Sequence, residues 1–153
     1  MPDLKLRVPP LVVFAIVALA IAGSGKWLHV WSIPPWPRYL LAILLATSGV
    51  LIAMAGVLEF RRARTTVHPM HPDRVSALVT IGIFRFSRNP MYLGMLLVLA
   101  ALAAWMGQPI GMALLPLFVL YLNRYQISAE EEAIAAHFGQ SYRDYCRRVR
   151  RWC

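Results

Sequence analysis

Four apolar runs separated by polar joints organise this chain. The first covers residues 8–31. Pro9 and Pro10 suit the start of a helix, where a missing backbone N–H costs nothing. Lys26 falls late in the run beside Trp27 and Trp31, a setting in which a lysine snorkels to the membrane interface. Lys5 and Arg7, with Ala20-Ile21-Ala22 behind them, also fit a cleaved signal peptide; because further spans follow, a retained helix is the preferred reading. Ser32 to Arg38 holds Pro34, Pro35 and Pro37 and reads as a turn.

The second run, residues 39–58, is 20 residues without a charge. About 20 apolar residues are needed to cross ~30 Å of hydrocarbon. Ala42, Ala46, Gly49, Ala53 and Gly56 recur at spacings of 4, 3, 4 and 3. They form one small-residue face that lets a neighbouring helix approach closely, a packing role preferred over a substrate groove. Residues 59–90 are a polar connection carrying Arg61, Arg62, Arg64, Arg74, Arg85 and Arg88. The third run, 91–106, and the fourth, 110–122, flank Gly107-Gln108-Pro109. Each is short for a full crossing, so together they predict a helical hairpin, with Pro116 kinking its second arm. Residues 123–153 are a polar tail. Ser128 and Glu131 have capping-box spacing, Ile134 and Phe138 share a helical face, and Gly139 marks a helix stop.

Composition agrees with this pattern. Of 153 residues, 59% are hydrophobic and 15% charged, and mean hydropathy is +0.56. Soluble domains lie nearer ~45–50% and ~25%. The expected fold is therefore a single all-α integral membrane domain, 1–153, partnered by the lipid bilayer. It has four transmembrane segments, the last two a hairpin, and a cytosolic C-terminal helical cap. The net charge of +9 would suit nucleic acid, but the arginines flank apolar spans and topology explains them, so no nucleic-acid partner is expected. The N-terminus, the 59–90 connection and the tail hold 2, 6 and 6 of the 16 basic residues, leaving Lys26 and Arg38 opposite. The positive-inside rule then places both termini in the cytoplasm, with a bacterial inner membrane as the expected location. Cys146 and Cys153, both in the tail, make neither a disulfide framework nor a metal-ligand spacing.

Three groups of chemically capable residues fall on that cytoplasmic side. Arg88 precedes Asn89-Pro90, and the residue before a proline avoids the helical region; a guanidinium pinned there suits bidentate binding of a carboxylate, beyond its plain role as a membrane anchor. Glu130, Glu131 and Glu132 complement a helix dipole but exceed what capping needs, and a carboxylate pair can hold an ammonium group. His68 and His71 are three apart and each directly precedes a proline, which gives an extended turn rather than a helical metal face, and with no third ligand nearby no metal is expected. A fixed cation and a carboxylate cluster at a membrane mouth suit a small zwitterion such as an amino-acid head group.

The stretch Ser87-Arg88-Asn89-Pro90-Met91-Tyr92-Leu93-Gly94, followed about forty residues later by Glu130-Glu131 and then Phe138-Gly139, Tyr142 and Tyr145, resembles the isoprenylcysteine carboxyl methyltransferase family, a group that also takes in phospholipid N-methyltransferases. The likeness covers roughly residues 59–152. It implies S-adenosylmethionine as methyl donor, S-adenosylhomocysteine as product and a lipophilic acceptor arriving through the membrane. It further implies Arg88, Asn89 and Tyr92 at the catalytic position, and Arg88, Pro90, Tyr92, Gly94, Glu130 and Glu131 around the cofactor. In that scheme Arg88 clamps the methionine carboxylate, Gly94 allows close backbone approach, and the glutamates hold the polar end of the cofactor. Asn89 stands where the eukaryotic members have histidine. Asparagine does not titrate near neutral pH, which favours a carboxylate or thiol acceptor over an amine. A non-catalytic scaffold of the same fold and a sterol-reductase-like enzyme are the alternatives; no dinucleotide fingerprint supports the latter.

Overall fold

The computed structural model describes residues 8–24, 35–63, 78–107 and 109–153. These residues are helical with irregular joints. The α-helices are α1 (Pro10–Ser24), α2 (Pro35–Arg62), α3 (Pro90–Met106), α4 (Pro109–Tyr121) and α5 (Ser128–Arg148). A 3-10 turn, Gly82–Arg85, precedes α3, and a π-helical segment, Leu122–Ile127, joins α4 to α5. The rest of the first joint, with Lys26, Trp27 and Trp31, and the histidines His68 and His71 lie outside the described residues.

α2 starts earlier than its sequence suggests. Pro35 and Pro37 sit inside its first turn rather than in a turn that ends at Arg38. The first N–H groups of a helix have no intrahelical partner, so a proline removes nothing there. At the other end α2 runs past residue 58 to Arg62, closing on an ion pair of 3.0 Å between Arg62 and Glu59. Twenty-eight residues span about 42 Å at 1.5 Å per residue, more than the hydrocarbon thickness.

The small-residue face of α2 is its packing face. α3 lies antiparallel against it. A Cβ built on Gly94 would fall 2.5 Å from the Gly49 carbonyl oxygen and 2.7 Å from the Ala53 Cβ, and one on Gly49 would fall 2.7 Å from the Gly94 carbonyl oxygen. Further along, a Cβ on Gly56 would sit 3.2 Å from the Pro90 ring. On the opposite side Leu40, Leu44, Leu51 and Leu58 are exposed. An outward apolar stripe of this extent is a liability in water and the normal state of a lipid-facing helix. The protein is a membrane protein.

α1 packs against α3 and α4, burying Ile21 completely and Val13 nearly so. α3 and α4 form the expected hairpin. Gly107 adopts φ 65°, ψ 40°, and its N–H donates to the Ala103 and Ala104 carbonyls at 3.0 and 3.1 Å. This left-handed conformation closes a helix end at little cost for glycine.

The fourth apolar run differs from its sequence reading. Its helix does not stop near residue 122 but continues through the π turn as one 30-residue stretch, Pro109–Phe138, about 45 Å long. Its apolar residues run to Leu122, and charged residues begin at Arg124. Two stretches, Pro35–Arg62 and Pro109–Phe138, are thus long and apolar enough to cross a bilayer, whereas α1 and α3 are apolar but shorter. Ser128 starts no helix: Ile127 before it is already helical, and the Ser128 hydroxyl donates to the Asn123 and Arg124 carbonyls at 2.7 and 2.9 Å. The capping-box pattern is present as a string, but the hydroxyl is spent on carbonyls that the wide π turn leaves accessible. Gly139, with φ 53° and ψ −119°, is non-helical: the helix that begins at Pro109 ends at Phe138 before it, as the sequence suggests, and a second stretch of helix follows the kink.

Beyond the kink, α5 builds a second, smaller core. Tyr142, Tyr145 and Val149 bury against Val79 and Phe84. The Tyr145 hydroxyl donates to the Phe84 carbonyl at 2.7 Å, and Phe60 meets Phe84 edge-on with centroids 5.0 Å apart. This cap locks the end of α2 and the 3-10 turn to the C-terminal segment.

Candidate active site

The site forms where α3 begins. Asn89 takes φ −130°, ψ 57°, outside the helical region, and Pro90 is the first helical residue. Arg88 is therefore held just outside the helix. The chain leaving α5 is extended at Val149 and runs beside residues 87–89. The Arg88 N–H donates to the Arg150 carbonyl at 3.1 Å, and the Asn89 side-chain amide donates to the Arg151 carbonyl at 3.0 Å. The Asn89 N–H in turn donates to the Ser87 hydroxyl at 3.1 Å. Asn89 thus ties the C-terminal segment to the mouth of α3.

Side chains from three distant parts of the sequence meet here. Arg88 lies 3.1 Å from a Glu131 carboxylate oxygen. Arg151 approaches the same carboxylate twice, at 3.2 and 2.5 Å, from its Nε and a terminal nitrogen. The side chains of Arg88 and Glu131 are only 14% and 18% exposed, and that of Arg151 35%. Exposed ion pairs contribute ~0–1 kcal/mol; removing one member of a largely buried pair costs ~3–5 kcal/mol. Arg88 also touches the Cys146 sulfur. Its Nε is buried and has no hydrogen-bond partner among the described residues, although a buried guanidinium nitrogen normally has one.

Glu130 belongs to a different network. Its Oε1 accepts hydrogen bonds of 2.6 Å from the Tyr92 hydroxyl and 2.6 Å from the Gln126 amide. Tyr92 is itself buried in the bundle core with Leu99, Phe118, Leu122 and Ile127. Burial, with a smaller push from the Glu131 charge, raises Glu130 from the ordinary 4.5 to about 7, against the pull of its two donors. Successive residues on a helix point about 100° apart, so the glutamate pair divides: Glu131 turns to the arginines and Glu130 to Tyr92.

The sequence motif divides in the same way. Arg88 and Tyr92 meet the glutamates. Pro90 and Gly94, four residues apart on one face of α3, meet α2 at Gly56, Gly49 and Ala53. The close backbone approach that Gly94 permits in this structure is that of a neighbouring helix. Among the described residues no group of three or more His, Cys, Asp or Glu could hold a metal ion.

Arg151, Gln126 and Cys146 join the site without having been singled out from the sequence. Gln126 stands four residues before Glu130, a helical neighbour spacing that could have flagged it. Arg151 reaches Glu131 across 20 residues and Cys146 reaches Arg88 across 58; neither leaves a local pattern.

The model of the phospholipid methyltransferase family matches residues 37–141. An uncharacterized protein of Haemophilus influenzae is 40% identical over 62 residues, 40% of this chain and 98% of that protein. Two proteins of Oryza sativa, subspecies indica and japonica, each named probable protein-S-isoprenylcysteine O-methyltransferase, are 24% identical over 114 residues. That match covers 74% of this chain, which spans 60% of the length of the rice proteins.

Proposed function

The chain belongs to the phospholipid methyltransferase family, and from that premise we propose that it moves a methyl group from S-adenosylmethionine to a lipophilic acceptor at the membrane surface. The observation that carries this reading is the Arg88–Glu131–Arg151 cluster, with a buried Arg88 Nε that has no partner among the described residues. A methionine head group offers a carboxylate and an ammonium, and the residues present fit both. Arg88 is the donor for the carboxylate, and Glu131 the acceptor for the ammonium. When bound, the donor supplies a methyl group on a positively charged sulfur.

The protein's own contribution is position and environment. Arg88 is fixed by Pro90 and by the Arg150 carbonyl. Glu131 is fixed by two guanidiniums, and Tyr92 by Glu130. Holding two reactants in line removes much of the entropic barrier to a bimolecular step. Asn89 cannot act as a base near neutral pH, so an acceptor that is already a carboxylate or thiolate is favoured over an ammonium. In this reading the acceptor reaches the site from the bilayer, and Tyr92, with its ring in the apolar bundle core and its hydroxyl on Glu130, stands between that core and the polar mouth.

The orientation proposed has four membrane segments, with both termini and the cap on the cytoplasmic face of a bacterial inner membrane. Supporting it, Arg62, Arg85 and Arg88 gather at the cap end, while Trp36, Arg38, Tyr39 and Trp105 mark the other end; the rings of Tyr39 and Trp105 meet at a tilt of 37° with centroids 4.6 Å apart, as in an interfacial aromatic belt.

The test is transfer of label from methyl-tritiated S-adenosylmethionine by detergent-purified protein. Total membrane lipid extract, S-farnesyl-N-acetylcysteine and phosphatidylethanolamine serve as separate acceptors. Label in the farnesylcysteine ester or in a lipid carboxylate or thiol supports the reading as given. Label in phosphatidylethanolamine overturns the acceptor preference. Absence of transfer to every acceptor, together with no binding of S-adenosylhomocysteine, overturns the function.

A further inference from the structure

Arg151 lies beyond the residues matched to the family, 37–141, yet it makes the closest polar approach to Glu131, at 2.5 Å, with a second contact at 3.2 Å. One carboxylate there faces two guanidiniums, since Arg88 lies 3.1 Å from the same group. The cluster is thus richer in donors than in acceptors. Five N–H groups on each guanidinium meet the two oxygens of Glu131 and, from Arg88, the Cys146 sulfur, and the Nε of Arg88 is buried with no partner among the described residues. Donors left over in a largely buried cluster call for an anion.

We propose that Arg151 is the second half of a two-arginine site for the α-carboxylate of the donor's amino-acid moiety, so that the C-terminal segment 149–152 forms one wall of the donor site. This inference rests on the methyltransferase reading above and assigns a ligand group to a residue outside the matched region. Arg88 and Arg151 approach Glu131 from different segments, the mouth of α3 and the chain after α5. An α-amino carboxylate places its carboxylate on the two guanidiniums and its ammonium on Glu131, replacing an internal ion pair by an exchange of equal charges. The segment itself is placed by backbone bonds: the Arg151 carbonyl accepts from Asn89 at 3.0 Å and the Arg150 carbonyl from Arg88 at 3.1 Å. The Trp152 indole donates to Asn123 at 3.1 Å. None of these needs the Arg151 side chain, so these ties remain when it is replaced.

The experiment is calorimetry on the full chain in detergent with two ligands, S-adenosylhomocysteine and its decarboxylated analogue S-adenosyl-3-thiopropylamine. Wild type should prefer the carboxylate-bearing ligand. Arg151→Ala should weaken S-adenosylhomocysteine about tenfold to a hundredfold, the scale of a lost charge-assisted bond, and leave the decarboxylated ligand unchanged. Arg151→Lys should recover part of the loss. An equal loss for both ligands would mean a merely structural role and would overturn the proposal. So would an unchanged affinity for S-adenosylhomocysteine, while leaving the methyltransferase reading standing. Absence of binding by the wild type at millimolar ligand overturns both. If Arg151→Ala does not yield folded protein, Arg151→Gln, which keeps a hydrogen-bonding group against Glu131, replaces it with the same criteria.

Discussion

The α2–α3 seam and the polar cap hold the molecule together in opposite ways. The seam works by what is missing: Gly49, Ala53 and Gly94 have so little side chain that two backbones touch. In lipid no hydrophobic force drives helices together, so close van der Waals contact has to serve. The cap works by what is added: Arg88, Glu131 and Arg151 bring charge, and Tyr142, Tyr145 and Phe84 bring area. A seam of this kind tolerates almost no insertion, whereas a charged cluster can exchange one partner for another. Under the proposed function, that difference puts rigidity in the bundle and ligand exchange at its mouth.

The comparison breaks first at the seam. Gly94→Val would drive a branched side chain into the Gly49 carbonyl and Ala53. The expected loss is at least about 3 kcal/mol, the upper end of overpacking costs, seen as a fall in thermal midpoint in detergent. A midpoint within a degree or two of wild type would show that the helices do not touch there.

A smaller effect separates the two glutamates. Glu130 is raised from 4.5 to about 7 in the folded protein. Between those values the folded state holds a proton that the unfolded state has released. Stability therefore falls as pH rises from about 4.5 to about 7 and is flat above. Glu130→Gln keeps an oxygen to accept from Tyr92 and Gln126 but cannot titrate, so thermal midpoints measured from pH 5 to 8 should lose that slope. The same slope in wild type and variant would place the titrating group elsewhere.

The smallest expected change lies in the cap. Tyr145→Phe removes the hydroxyl that donates to the Phe84 carbonyl and leaves the ring packed. A cost of about 1 kcal/mol in chemical or thermal unfolding is expected, with the seam unaffected. A loss several times larger would mean that this bond organises the cap rather than merely closing it.

The two regions also differ in how far the sequence reveals them. The seam is local and periodic. Small residues at spacings of 4 and 3 mark one face of α2, and close packing on that face needs no long-range information. Gly107 and Pro109 likewise announce a hairpin. The unbroken helix Pro109–Phe138 is hidden, because the change from apolar to polar near Asn123 looks like a boundary and a π turn has no sequence signature. Pro35 and Pro37 mislead in the same region-bound way: the residues that end one helix are also those that tolerate the first turn of the next. At the cap, Arg88 and the glutamate pair stand out as charges at the mouth of a span. Their pairing does not, since Arg151 joins Glu131 only once the kink at Gly139 and the extended Val149 bring the chain back. The division of labour between Glu130 and Glu131 is a matter of helical direction and needs the partner helix to be seen.

The central claim, that the mouth of α3 and the start of α5 receive an amino-acid head group on the methyl donor, is tested most directly by titrating S-adenosylhomocysteine into detergent-purified protein in a calorimeter, with Arg88→Ala and Glu131→Ala alongside. Binding is expected for the wild type, with a loss of about tenfold or more in each variant, the scale of a charge-assisted bond. No heat of binding from the wild type at millimolar ligand, or equal affinity in all three proteins, would contradict it.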